Sequence, residues 1–342
     1  MTLRSAVALF VYNRTAFLPA ILDAIQAAHP TKLYIFGDGP KDDSEDRARC
    51  ADVRRIINDR EWRLPIDVTF ALTNLGCSGR VVSGIDEIFL HEEQAIFLED
   101  DIEPSHSFFP YCDWLLETFA HHEHVAMISG INPLSKWPIP EASCFFSKFG
   151  NAPAWATWRR AWRHYSSARQ LWASPQIHAA IADFLSDPEI FAWRAAIYGQ
   201  QDQEWAWDFQ WALARHARRA LCAVPVRSLA THCGFGPAAT NVKRRSILDL
   251  IAERYEIAAP FRAPATVTAD DAFDRLYFEV TQNKISVASA EWLAERLMAR
   301  GRNLLAIAIL RHALANSPPG FVTETLIEEA FSRAQRLSAH SG

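Results

Sequence analysis

The chain has 342 residues, 49% hydrophobic and 22% charged, a balance that fills a globular core and excludes a disordered or low-complexity chain. Its 35 basic against 40 acidic side chains leave a formal charge of −5, which argues against a general nucleic-acid binder. No apolar run approaches the roughly 18 residues of a membrane span. Six cysteines without a CxxC pair fit reduced thiols in a cytoplasm better than disulfides or a zinc knuckle.

Residues 5–12 form a β-rich apolar run, broken by Asn13-Arg14-Thr15, and 17–28 then carries Leu18, Leu22 and Ile25 on one helical face. A second strand over 32–36 ends at Gly37-Asp38-Gly39. A charged helical stretch lies within 41–63, and a third strand over 66–72 leads into Gly76-Cys77-Ser78-Gly79-Arg80. A helix over 81–90 and a fourth strand over 95–98 run into Glu99-Asp100-Asp101. Alternating strand and helix with short connections predicts a parallel α/β sheet, whose ligands collect at the carboxyl ends of the strands. Further on, the pattern predicts a helix over 108–119, a strand over 125–129, and helices over 155–165 and 177–185. A linker is expected near 260–266, followed by mostly helical sequence with helices over 289–300 and 304–315 around the break at 301–303. These boundaries divide the chain into residues 1–260 and a helical C-terminal region, 266–342.

The strongest chemical signal is Glu99-Asp100-Asp101 directly after the uncharged Ala95-Ile96-Phe97-Leu98. Adjacent carboxylates repel, so such a cluster needs a cation or hydrogen-bond donors unless it is a solvated turn. Hard oxygen ligands suit Mn²⁺ or Mg²⁺, which can bridge nucleotide phosphates. Arg80, near a helix start, could reach a phosphate or lie exposed. His121-His122-Glu123-His124 lacks ligand spacing and reads as a solvated helix end. Trp155, Trp158 and Trp162 recur at helical spacing beside Arg159, Arg160 and Arg163, and core packing is the plainer account of the stripe. Arg215, Arg218, Arg219, Arg227, Lys243, Arg244 and Arg245 could make a basic surface for membrane lipid or an anionic glycan, with a solvated helix face as the default.

Taken together, Tyr12-Asn13-Arg14, Gly37-Asp38-Gly39, Phe97 to Glu103 with Phe108-Phe109-Pro110-Tyr111, Ile128 to Asn132, Trp205 to Trp211 and Thr231 to Gly236 resemble a GT-A glycosyltransferase, nearest the N-acetylglucosaminyltransferase I type. The resemblance covers about residues 5–240. It implies an α/β fold with a Rossmann-like nucleotide-binding domain on a mixed central sheet, followed by the helical region. It also implies an inverting, metal-dependent transfer of a hexose or N-acetylhexosamine from a nucleotide-diphosphate sugar, a UDP-sugar by this likeness, to a glycan or other hydroxyl acceptor. The acid triplet matches a variant DxD motif. By match of position, Arg14, Asp38, Arg80, Glu99, Asp100 and Trp155 would bind the donor, Asp101 and His232 the Mn²⁺ or Mg²⁺, and Asp208 would be the catalytic base, with Glu204 or Asp202 next in line. A cytoplasmic protein, peripheral to the membrane at most, is expected. Two other readings stand beside it: a nucleotidyltransferase, which usually carries a glycine-rich signature loop where this chain has Asn13-Arg14-Thr15, and a catalytically silent carbohydrate-binding scaffold.

Overall fold

Four parallel strands organise the N-terminal part: β1 (Ala6–Val11), β2 (Leu33–Gly37), β3 (Ile66–Phe70) and β4 (Gln94–Glu99). Every position of β1 is buried, because β2 and β4 pair with its two edges and helices cover the sheet; this produces a continuous apolar run rather than an alternation. The connecting helices are α1 (Leu18–Ala28), α2 (Ser44–Asn58) and α3 (Gly76–His91). Helix α3 begins at Gly76, not near Val81 as its periodicity suggested. Gly, Cys and Ser are weak helix formers, so this first turn is invisible to pattern; Gly76 takes φ +73°, a conformation open to glycine, as the chain enters it.

The computed structural model describes residues 2–165, 168–200, 206–233, 247–282 and 284–315. After β4 come β5 (Ile102–Pro104), α4 (Phe108–Thr118), β6 (Val125–Ser129), β7 (Cys144–Ser147) and β8 (Ala154–Trp158). Helices α5 (Arg159–Trp162), α6 (Ala168–Leu171), α7 (Pro175–Leu185), α8 (Pro188–Tyr198) and α9 (Trp207–Ala217) follow, then β9 (Leu221–Pro225) and β10 (Ala230–His232). Eight strands form one mixed sheet in the order β3-β2-β1-β4-β8-β6-β9-β7, while β5 and β10 pair separately. Strand β8 runs antiparallel to both β4 and β6, so the sheet is parallel only from β3 to β4 and again between β6 and β9.

The expected helix over 155–165 is therefore a strand and a single helical turn. Its tryptophans fall three and four apart by coincidence with the helical period, yet all five residues of β8 are buried between two neighbours. Trp155 is 1% exposed and stacks on Phe97 of β4 at 4.8 Å between centroids. Trp158 donates Nε1–H to Leu116 O at 2.9 Å. The stretch expected as a linker is also packed: the ring of Phe261 meets those of Tyr111 and Trp114.

The chain divides into two compact units, one of Met1–Lys243 with Glu253–Asp271 and the other of Arg244–Ala252 with Ala272–Gly342. The second contains α10 (Ile247–Ile251), most of α11 (Asp271–Thr281), α12 (Val287–Ala299) and α13 (Asn303–Ala315). Helices α12 and α13 form a hairpin whose apolar faces, including Leu293, Leu297 and Leu310, are buried. Glu279 fastens the start of α12 by accepting from Ser286 Oγ at 2.7 Å and from Ser289 Oγ. Among the described residues no helix is long and apolar enough to cross a membrane.

Trp155→Ala should destabilise the chain by about 3–5 kcal/mol, the cost of deleting a buried indole and leaving its cavity. Denaturant unfolding followed by far-ultraviolet circular dichroism measures it, and near-parent stability would contradict the packing described.

Candidate active site

The chain leaves β1 as Tyr12-Asn13-Arg14, β2 as Asp38-Gly39 and β4 as Asp100-Asp101, all at the carboxyl edge of the parallel strands. There a cleft of about 470 Å³ opens, lined by Arg14, Asp38, Arg80, the three acids 99–101, Asp208 and His232. A hollow of about 540 Å³ beside α1 and α4 lacks such convergence, since its charges pair locally, Arg254 with Glu103 and Asp23 with Arg60.

The segment bearing Arg14 is fastened from behind. Buried Asp46 on α2 accepts from Tyr12 Oη at 2.5 Å, Asn13 Nδ2 at 2.6 Å and Lys41 N at 2.8 Å. Burial alone would raise the Asp46 pKa, but these donors, Tyr12 foremost, hold it below the usual carboxylate range. Asp38 clasps the loop before α3 in the same way. It accepts from Gly39 N at 2.7 Å, Leu75 N at 2.8 Å and Asn74 Nδ2 at 3.0 Å. A Cβ on Gly39 would stand 2.3 Å from the Thr73 carbonyl, so only glycine fits. Asp38 thus reaches the cleft, with much of its accepting capacity already engaged.

Arg80 is buried at 6% exposure, its guanidinium 4.8 Å above the ring of Phe36, and it donates to Thr69 O at 3.3 Å. The exposed alternative is excluded. Burial lowers its pKa, and its Nε has no hydrogen-bond partner among the described residues.

The acids differ sharply from one another. Burial pushes Glu99 up to about 8, with the charges of Asp101, Asp100 and Asp208 adding to it. Burial also lifts Asp100 to about 6, although Tyr12 N donates to its Oδ2 at 2.9 Å and Arg14 to its Oδ1 at 3.1 Å. Asp101 suffers the same desolvation yet ends below the usual range, because His232 and Arg14 stabilise its charge. His232 reaches it through strand pairing: β10 runs antiparallel to β5, which puts Nε2 3.2 Å from Asp101 Oδ2. Arg14 pairs with the same Oδ2. The guanidinium expected on the nucleotide thus lies between two carboxylates here.

Asp208 sits in the first turn of α9, inside the helix rather than at its cap, which is Ala206. It shares the cleft with Glu99 and Asp101. Burial raises its pKa against the pull of nearby backbone N–H groups. Trp155 is not at the cleft; Pro153 is, because β8 buries both of its faces and turns the indole into the sheet's packing. Trp205, Glu204, Asp202, the end of the last motif block (234–236), Lys243, Arg244 and Arg245 lie outside the described residues. Arg215, expected in a basic surface, is buried and donates to Lys148 O at 3.4 Å. His121 to His124 occupy the solvated turn between α4 and β6. Lys41, Asn74 and Cys77 also line the cleft; Asn74 and Cys77 lie in the stretch after the third strand, where ligands collect, though no residue type there marked them singly.

Among the described residues no group of three His, Cys, Asp or Glu side chains is arranged to hold a metal ion. Asp101 nonetheless offers a fit of a lesser kind. It is 3% exposed, and its Oδ1 accepts no hydrogen bond from the described residues. A buried carboxylate oxygen without a donor, with an imidazole on the sister oxygen, suits a cation whose remaining ligands come from phosphate and water.

No family model matches the chain, and no curated protein matches it. Among solved structures, the mannosyltransferase PcManGT from Pyrobaculum calidifontis, in complex with GDP-Man and Mn²⁺, is similar over 64% of this chain and 70% of its own, at 11% identity and a TM-score of 0.34. A likeness of that extent carries no functional assignment.

A carboxyl group raised in the folded state binds its proton more tightly there than in the unfolded chain. Its stabilising contribution is full below the unfolded value and is lost as pH rises through the folded one. For Glu99 that window runs from the ordinary carboxylate value of 4.5 to about 8. In chelator-treated protein, Glu99→Gln should therefore be more stable than the parent at about pH 9, by on the order of 2 kcal/mol, with the advantage shrinking toward about pH 5. Urea melts at both pH values test it; an advantage independent of pH would refute the assignment.

Proposed function

We propose that the chain is a metal-assisted, inverting glycosyltransferase of the GT-A kind that uses a nucleotide-diphosphate sugar. The observation that supports this best is the convergence of Arg14, Arg80, Asp101 with His232, and Asp208 in one cleft at the carboxyl edge of a parallel sheet, where α/β folds bind nucleotides. The UDP-sugar donor, the hexosyl or N-acetylhexosaminyl group and the N-acetylglucosaminyltransferase I type rest on the motif blocks. A cytoplasmic setting fits the six free thiols.

In this reading Arg14, Arg80 and Asp38 hold the nucleotide, and Glu99 and Asp100 adjoin the ribose and donor sugar. Asp101 and His232 would hold Mn²⁺ or Mg²⁺, which when bound neutralises charge on the departing diphosphate. Asp208 takes the proton of the acceptor hydroxyl as that oxygen bonds to the anomeric carbon and the bond from that carbon to the diphosphate oxygen breaks. Inversion follows from attack on the face opposite the leaving group. A base must be ionised yet eager for a proton, and burial raises the Asp208 pKa in that direction.

Asp101→Asn should abolish the Mn²⁺ dependence of donor binding, since a neutral amide is a poor ligand for a hard cation. Calorimetry against a panel of UDP- and GDP-sugars checks it, as does the thermal shift of the parent. A donor at about 100 times its Kd adds about 2.7 kcal/mol.

Asp208→Asn should lower turnover about 10²- to 10⁴-fold with donor affinity unchanged, the pattern of a group that acts in the transition state. Radiolabelled transfer or donor hydrolysis reads it. Near-parent turnover would remove Asp208 from the mechanism, and no binding of any sugar nucleotide would remove the reading itself.

A further inference from the structure

We infer that Arg14 is a tethered cation that keeps the acid pair closed to a divalent ion until a diphosphate draws it away, so that cation and nucleotide bind as a coupled pair. This rests on the glycosyltransferase reading for the site and goes beyond it in assigning the order and mutual dependence of binding. One guanidinium bridges two carboxylates, donating to Asp100 Oδ1 at 3.1 Å and pairing with Asp101 Oδ2. Both acids are buried, at 5% and 3% exposure. Without a cation nearby, their charges would stand desolvated and mutually repelling. Arg14 supplies that cation from within the chain, on the same oxygen of Asp101 that His232 approaches at 3.2 Å.

Two further features make the arrangement reversible. The backbone of the segment is pinned, because Tyr12 and Asn13 are both bound to Asp46, whereas the Arg14 side chain retains 25% exposure. The guanidinium can therefore turn without moving the loop. And Asp101 is only half engaged, its buried Oδ1 lacking a donor among the described residues, so displacement of Arg14 leaves Oδ1 open and Oδ2 shared with His232 alone among the contacts described. A divalent ion arriving alone must displace a like-charged guanidinium from the two acids it pairs with. A diphosphate in the cleft changes this: Arg14 matches its oxygens with a planar fork, and Asp101 is released for a cation that shares the same phosphates. Such coupling is reciprocal, each ligand tightening the other by one common factor, typically about 5- to 150-fold.

The test is Mn²⁺ binding to the full chain, by calorimetry and by loss of the free-ion electron paramagnetic resonance signal, alone and with saturating UDP or GDP. The parent should bind Mn²⁺ weakly alone and at least about tenfold more tightly with nucleotide. Arg14→Gln should bind Mn²⁺ alone about tenfold more tightly than the parent and gain little from nucleotide. Arg14→Lys, which keeps the positive charge but lacks the planar guanidinium that matches phosphate oxygens, should fall between them, and it carries the comparison if the Gln variant does not fold by circular dichroism. If the parent shows nucleotide-enhanced binding that Asp101→Asn abolishes, yet neither Arg14 variant binds Mn²⁺ alone more tightly, the gating role is overturned while the site stands. If the parent binds no Mn²⁺ with either nucleotide, both fall.

Discussion

Three carboxylates follow one another off the end of a buried strand, and the first unit is arranged around their mutual repulsion and lost hydration. Three groups from two segments compensate them. Arg14 comes from the end of β1, the Tyr12 N–H from the same segment, and His232 from a short strand that pairs with β5 just beyond the acids. None of these resolves Glu99, which burial and the neighbouring acids push up to about 8. A row of like charges is tolerated here because one member is shifted toward its neutral form and the other two share a guanidinium.

Two further buried carboxylates, one behind the cleft and one at its edge, hold its backbone in place. Asp46 ties down Tyr12 and Asn13, and Asp38 ties down the loop before α3. Each is a buried carboxylate with its acceptors met by nearby donors, the condition under which burial is tolerable. Their effect is to hold the Arg14 backbone and the start of α3 at fixed places on the sheet edge, which leaves side-chain rotation as the easy motion.

The tryptophans serve the same end from the other side. Trp155, Trp162, Trp207 and Trp211 pack with centroids between 5.3 and 6.5 Å apart, joining β8, α5 and α9. Trp207 immediately precedes Asp208, so this cluster sets where α9 begins and brings its first-turn acid beside Glu99. These tryptophans are a packed foundation beneath the site.

What the sequence by itself determined is local or strictly ordered along the chain. The β1 to β4 alternation, the acids at a strand end, the hairpin of α12 and α13, and the block order carrying Arg14, Asp38, Asp101, His232 and Asp208 are legible because periodicity and succession need no partner. Even the missed helix α8 had a local signal, Asp187-Pro188, with Asp187 accepting from Glu189 N and Ile190 N. Tertiary structure alone decided the rest. Ala154–Trp158 is a strand because β4 and β6 bury both its faces, Trp155 belongs to the core for the same reason, and Arg80 is buried because α3 lies over Phe36. The partner of Arg14 is two acids some 86 residues away. Those outcomes depend on which surfaces meet, and side-chain spacing along one segment does not encode the surface that will cover it.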